Sequence, residues 1–287
     1  MKKVLVIVGP TASGKSDLAV KLARKLGGEI ISADSRQVYK GLDIGTGKIT
    51  RAEMKGVPHH MLDVADPRKQ FSASQFKKMA QEELGYIEKR GKLPIIVGGT
   101  GFYIDALTGA THLPEVPPNK KLREKLGTKT NAALFKILER KDPKCAKRID
   151  ANNKVRLIRA LEIVKALGKV PVLKNETSNK FIYIGLNPKD LKGRIERRVR
   201  KMFKSGLSNE VRKLKRLGIT NKRFKQLGFE YFNPTPESVT RGTNNYAKRQ
   251  MTWFKRNRKI TWYASASAAY EATARLLGGA KRPRSRR

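Results

Sequence analysis

Gly9-Pro10-Thr11-Ala12-Ser13-Gly14-Lys15-Ser16 fits the pattern G-x-x-x-x-G-K-[ST], and its residue types point to one kind of chemistry. Glycines let backbone N–H groups turn inward around phosphate oxygens, and a helix starting just behind them adds partial positive charge. Lys15 can reach terminal phosphates, and the Ser16 hydroxyl is a ligand suited to Mg²⁺. The competing reading is a glycine-rich turn that binds nothing; the lysine, the hydroxyl and both flanks weigh against it. This stretch is a site for a di- or triphosphate. Two further side chains stand where chemistry is done. Asp34 follows Gly28-Glu29-Ile30-Ile31-Ser32, and Thr100 lies in Gly98-Gly99-Thr100-Gly101 after Leu93-Pro94-Ile95-Ile96-Val97.

The elements that position these residues are legible as hydrophobic patterns. Val4 to Val8 reads as a buried strand running into the phosphate loop, and Asp17 to Ala23 as the helix behind it. Gly28–Ser32 and 93–97 are further short apolar strands. In an open parallel sheet ligands sit at the C-terminal ends of strands, which is where Asp34 and Thr100 fall. Asp34 also reads more plainly as a helix N-cap. Phe71 to Arg90 is an amphipathic helix, and Ser72 with Gln75 three residues on resembles a capping box. Strand and helix alternate, so the expected fold is α/β, a doubly wound parallel sheet flanked by helices.

After three prolines in 114–118 the texture turns helical from Asn119 to about Leu167. Leu122, Leu126, Ala133, Leu134, Ile137 and Leu138 form one apolar set; Val155, Ile158, Leu161, Ile163 and Val164 form another. This is an inserted all-helical domain. Phe181 to Leu186 restores a strand, followed by helical patterns through Ile195, Val199, Met202 and Phe203 and through Val211, Leu214 and Leu217. The expected organisation is 1–113 first part of the core, 114–175 helical insertion, 176–280 second part of the core, and 281–287 a disordered basic tail.

The 287 residues carry a net charge of +40. Residues 1–113 hold 18 Lys/Arg against 11 Asp/Glu, whereas residues 114–287 hold 46 against 13, so the basic surface belongs to the second part. Nucleic acid is the obvious polyanionic partner, against the blander alternative of a solvated lysine surface. Arg241 to Lys259 has seven Lys/Arg and no acid, interleaved with Tyr246, Trp253 and Phe254. Cations with stacking aromatics suit unpaired RNA, although Trp253 and Phe254 also read as ordinary core. One cysteine, Cys145, excludes an internal disulfide framework and a cysteine zinc site. His59 and His60 lack companions for zinc; positioning a loop, or Asp63 near the phosphate site, fits them better. No apolar run suggests a membrane span, so a cytoplasmic protein is expected.

These residues alone suggest a P-loop kinase acting on a small molecule or an RNA end, with a non-enzymatic RNA-binding NTPase as another class. Eight stretches in order resemble the tRNA dimethylallyltransferases, also called tRNA isopentenyltransferases, of bacterial type. They are Gly9–Ser16, Ser32–Tyr39, Asp43–Lys48, His59–Asp63, Gly98–Tyr103, Arg156–Glu162, Leu227–Glu230 and Lys248–Phe254. The resemblance spans Lys3 to about Tyr263. Phe229 stands where the family usually has tyrosine, and no zinc finger follows residue 263.

That resemblance implies transfer of a dimethylallyl group from dimethylallyl diphosphate to N6 of the adenosine 3′-adjacent to the anticodon of tRNA. Gly9, Pro10, Thr11, Ala12, Ser13, Gly14, Lys15 and Ser16 would hold the diphosphate with Mg²⁺, and Arg194 and Arg198 would clamp it further. Asp34 would be the catalytic carboxylate that takes the N6 proton, and Thr100 a hydroxyl near the bridging oxygen. The tRNA anticodon stem-loop would meet Asp34, Ser35, Arg36, Gln37, Thr100, Arg123, Val155, Arg156, Leu157, Ile158 and Arg159, with Lys248, Arg249 and Gln250 on its backbone or flanking bases. The protein would act as a monomer. A relative that prenylates free adenine nucleotides has little use for so basic a second half.

Overall fold

The computed structural model describes residues 3–171, 178 and 180–278. In chain order the elements are β1 (Val4–Val8), α1 (Lys15–Leu26), β2 (Gly28–Ser32), α2 (Arg51–Met54), β3 (His59–His60), α3 (Ala73–Lys89), β4 (Leu93–Gly98) and α4 (Gly101–Thr108). Then come α5 (Lys120–Gly127), α6 (Asn131–Lys141), α7 (Pro143–Ala146), α8 (Lys154–Leu167), β5 (Phe181–Leu186), α9 (Leu191–Lys204), α10 (Leu207–Arg216), α11 (Asn221–Leu227), α12 (Pro236–Phe254), β6 (Ile260–Tyr263) and α13 (Ala266–Gly278). The chain divides into two compact units, one of residues 3–110 and 178–278 and one of residues 111–171. The tail at 281–287 lies outside the described residues.

The first unit is an α/β fold around one parallel sheet of order β3-β2-β4-β1-β5-β6. Strand periodicity sends Val4, Val6 and Val8 to one face and Leu5 and Ile7 to the other. The first set packs with Phe76, Ala80, Leu84 and Ile87 of α3 and with Tyr103, Ile104 and Leu107 of α4. The second packs with Leu18, Ala19, Leu22 and Ala23 of α1 and with Ala269 of α13. Each such fully buried aliphatic side chain contributes about 1.5–3 kcal/mol. Sealing both faces leaves the strand ends as the place for a ligand.

Helix boundaries follow local chemistry. Ser72 caps α3, accepting from the Gln75 N–H while the Gln75 side chain accepts from the Ser72 N–H, the reciprocal box anticipated from sequence. Gly27 ends α1 in the left-handed conformation. In the second unit the helical stretch breaks into α5 to α8, with Asn119, Thr130, Asp142 and Asn153 capping their starts. Its core gathers Leu126, Leu134, Leu138, Leu157, Ala160, Leu161 and Val164. Val155, placed by the sequence pattern in this apolar set, is instead 77 % exposed, because the buried stripe of α8 runs through Leu157, Ala160, Leu161 and Val164.

Candidate active site

The loop between β1 and α1 is shaped by backbone freedom that only some residues supply. Gly9 has φ +148°, and a Cβ there would collide with the Leu186 carbonyl. Gly14, at φ +90°, is the residue before α1 and offers no side-chain cap, so the first N–H groups of the helix stay open. Lys15 donates to the Pro10 carbonyl (3.1 Å) across the loop. The Ser13 hydroxyl is buried with no hydrogen-bond partner among the described residues, an orphaned polar group inside the loop.

Three cations converge on this cradle. Burial, then repulsion from Arg198, pushes Lys15 down to about 8, with Asp34 opposing. Arg198 donates to the Thr46 carbonyl (2.9 Å) and lines the same pocket as Lys15 and Asp34. Arg194 lies against the loop carbonyls of Ala12 and Ser13 at 3.5 and 3.4 Å. A Cβ on Gly47 would overlap the Arg198 guanidinium, so this glycine gives the arginine its berth. Like charges crowded together and partly stripped of water favour an anion between them.

Asp34 leaves β2 two residues past its last strand residue. It caps a tight turn rather than a helix: Oδ1 accepts from the N–H groups of Arg36 (2.9 Å) and Gln37 (3.3 Å). That fixes the carboxylate plane and leaves Oδ2 available to the pocket. Thr100 Oγ1 accepts from the Ser35 N–H (2.9 Å) and donates to Ser35 Oγ (3.2 Å), and the Thr100 N–H donates to the Ala33 carbonyl (3.2 Å). The ends of β2 and β4 are thus stitched together, with Tyr246 of α12 beside Thr100. Arg36 donates through Nη1 to both carboxylate oxygens of buried Glu230 (2.7 and 2.5 Å), its guanidinium 5.1 Å from the Phe229 ring and 5.3 Å from Tyr246.

The residues anticipated for the site divide when placed in space. The loop 9–16, Asp34 to Gln37, Thr100, Arg194 and Arg198 come together. Lys248 and Arg249 are exposed on α12. Gln250, expected to grip RNA, is buried at 4 %; its Oε1 accepts from the Thr11 N–H (2.8 Å) and its Nε2 donates to the Gly99 carbonyl (2.9 Å). It braces the phosphate loop against the β4 end while lining the same pocket as Lys15 and Asp34. In the second unit Leu157, expected at the RNA, is fully buried core. Arg123 makes two 2.7 Å bonds to Glu162, while Arg159 bonds Glu162 (3.2 Å) and the Val116 carbonyl (2.8 Å). Asp63, read as a neighbour of the phosphate site, instead pairs with Lys48 at 2.5 Å. His60 bridges Glu29 of β2 and Glu83 of α3 at 2.8 and 2.9 Å, rather than positioning a loop or Asp63.

The family model for IPP transferase matches residues 37–257. The chain belongs to the IPP transferase family. A tRNA dimethylallyltransferase of Caldanaerobacter subterraneus subsp. tengcongensis is 40% identical over 288 residues, covering 91% of each chain. Among solved structures, the tRNA isopentenylpyrophosphate transferase of Bacillus halodurans is 37% identical with a TM-score of 0.68, covering 97% of this chain and 98% of its own. A eukaryotic dimethylallyltransferase acting on tRNA is 27% identical with a TM-score of 0.86, covering all of this chain and 82% of its own. In this IPP transferase the roof of the pocket, 41–48, hangs on a residue not visible as functional in the sequence. The Glu210 carboxylate accepts from the N–H groups of Asp43 (3.0 Å), Ile44 (2.7 Å) and Gly45 (3.0 Å) and from the Tyr231 hydroxyl (3.0 Å). Its one signal is indirect: glycines at 45 and 47 imply close packing, and a Cβ on Gly45 would strike Tyr231.

Proposed function

We propose that the protein transfers a dimethylallyl group from dimethylallyl diphosphate to N6 of the adenosine 3′-adjacent to the anticodon in tRNA, as a monomer in the cytoplasm. One observation carries this reading. A carboxylate with one oxygen tied by backbone N–H groups and the other open faces the same pocket as Lys15 and Arg198. In the step, the adenine N6 lone pair forms a bond to the allylic carbon while the carbon–oxygen bond to diphosphate breaks. The electron pair leaves on the diphosphate, and the N6 proton passes to Asp34 Oδ2. Lys15, Arg194, Arg198 and the open N–H groups of α1 stabilise the charge growing on the departing oxygens. Thr100, held by Ser35, stands beside the reacting groups as a positioned hydroxyl.

The Ser16 hydroxyl lies exposed in the first turn of α1, and no cluster of three metal-ligating side chains exists among the described residues. That donor set fits Mg²⁺ held through Ser16, substrate phosphates and water rather than by a protein cage. When bound, Mg²⁺ would neutralise charge on the diphosphate. An adenine stacked in the loop must be extruded to reach Asp34, at a cost of a few kcal/mol. No described helix is long and apolar enough to cross a membrane.

The test is transfer of labelled dimethylallyl from its diphosphate to an unmodified anticodon stem-loop with Mg²⁺, with Asp34→Asn alongside and an ATP control. Label on the adenosine, with the Asn variant slower by about 10²–10⁴-fold, is the expected result for loss of a general base. Phosphate moved from ATP, with no prenyl transfer, would return the site to kinase chemistry.

A further inference from the structure

Two residues beyond Thr100 the chain places an aromatic ring that the pocket does not use. Phe102, in the first turn of α4, is 40 % exposed, one of two aromatic side chains among the described residues with so much open surface. It does not stand alone. Trp253 of α12 meets it edge-on, with ring centroids 6.2 Å apart and planes at 79°. The indole is locked in place: its Nε1 donates to Asp105 Oδ2 (2.8 Å), and it packs so closely on Gly101 that a Cβ there would overlap the ring. The Arg256 guanidinium lies 5.5 Å from the indole centroid. The chain around Trp253 has no acid from 241 to 259.

A rigid, solvent-facing aromatic beside cations is the pairing that holds an unpaired nucleotide, the ring taking the base and the cations the phosphate. Simple core packing accounts for Trp253 but not for the exposed ring of Phe102. Nor does the phosphate cradle use it: neither Phe102 nor Trp253 lines the pocket around Lys15. We propose that Phe102, backed by Trp253, is a stacking platform for one unpaired nucleobase of the RNA loop next to the adenosine that is modified. This subsite rests on the tRNA reading above and adds to it a residue that selects loop geometry. Stacking tolerates any base face, so it would hold the neighbouring nucleotide without reading its identity, helping to keep the extruded adenosine from restacking.

The experiment uses the full chain and anticodon stem-loops carrying 2-aminopurine at either position flanking the target adenosine. Stacking on Phe102 should quench the probe at one of the two positions, and Phe102→Ala should remove that quenching. In the transfer assay Phe102→Ala should raise KM for the stem-loop about tenfold, with kcat within about twofold and KM for the prenyl diphosphate unchanged. Phe102→Trp should restore wild-type KM, whereas Phe102→Leu, equally apolar but without a π face, should not. If Phe102→Leu matches wild type, or Phe102→Ala leaves both KM and quenching unaltered, the platform is refuted. Failure of the parent reading is separately visible, as no transfer by the wild-type protein; the quenching contrast would still decide whether the ring stacks on RNA.

Discussion

Raising the pH from 7 to 9 strips the proton from Lys15 in the free enzyme before it does so in a diphosphate complex. Lys15 is a base whose folded pKa is depressed, from 10.5 to about 8, chiefly by burial and next by Arg198. A bound diphosphate reverses both causes, since it brings negative charge into contact with the ammonium and screens it from the arginine. The complex therefore holds the proton to higher pH than the free site. The sign follows: affinity for diphosphate is fully present below pH 8 and is lost as pH rises through that value. With a free-state value of 8, about one site in eleven keeps its proton at pH 9, so affinity falls about tenfold, equivalent to about 1.4 kcal/mol. The terminal phosphate of an alkyl diphosphate, like a phosphate monoester, loses its last proton near pH 6, so dimethylallyl diphosphate does not titrate over this range.

Calorimetric titration with dimethylallyl diphosphate at pH 7, 8 and 9, without Mg²⁺ and at fixed ionic strength, measures this. Lys15→Arg is the control, because a guanidinium does not titrate here and its profile must stay flat. A wild-type affinity constant from pH 7 to 9, or an arginine variant that falls in parallel, would refute the argument that Lys15 is desolvated against a second cation.

Three further outcomes follow from the geometry. Gly47→Ala forces a Cβ into the Arg198 guanidinium at a left-handed backbone position, so KM for the prenyl diphosphate should rise while stem-loop affinity holds; an unchanged donor KM would count against the clamp. Glu210→Ala removes the acceptor of three backbone N–H groups and a hydroxyl, and should cost about 2–4 kcal/mol in urea unfolding together with most turnover. tRNA affinity should fall linearly on a log–log plot against salt, with a slope near −4 if about six phosphates of the loop are contacted; a flat response would remove nucleic acid from the account of the basic surface.

The parts of this structure visible in the sequence are those governed by local rules. β1, β2 and β5 are short apolar runs, and the Ser72–Gln75 box starts α3 within one turn of chain. The two edge strands escaped notice because they carry too little periodicity: β3 is two half-buried histidines, and β6 is four residues of which only Ile260 is buried. In the helical unit the breaks at Thr130 and Asn153 had cap residues that mark them, but Val155 misled because an apolar residue on an exposed face looks the same as one on a buried face. At the site, the phosphate loop, Asp34 and Thr100 were found because each follows a recognisable strand. The Gln250 brace, 239 residues from Thr11, and the Arg36–Glu230 pair, 194 residues apart, have no local pattern that could announce them.

The distribution of paired and unpaired charge gives the pocket a direction. Arg36, beside the carboxylate that would take the N6 proton, is neutralised by Glu230 and flanked by two aromatic rings. Lys15, Arg194 and Arg198 have no carboxylate within ion-pair distance among the described residues. A diphosphate gains most by sitting against the unpaired cations. An uncharged adenine loses least against the end where the charge is already paired. Were Arg36 also unpaired, the diphosphate would be drawn toward Asp34, and the reacting nitrogen and the allylic carbon would compete for one position. Burial pushes the Glu230 carboxyl up while Arg36 holds it down. Glu230→Gln, which leaves the Arg36 charge unpaired, should therefore make free diphosphate a stronger competitor against the stem-loop. Product inhibition read against RNA concentration measures it, and an inhibition constant equal to wild type would show that the pairing does not steer the ligands.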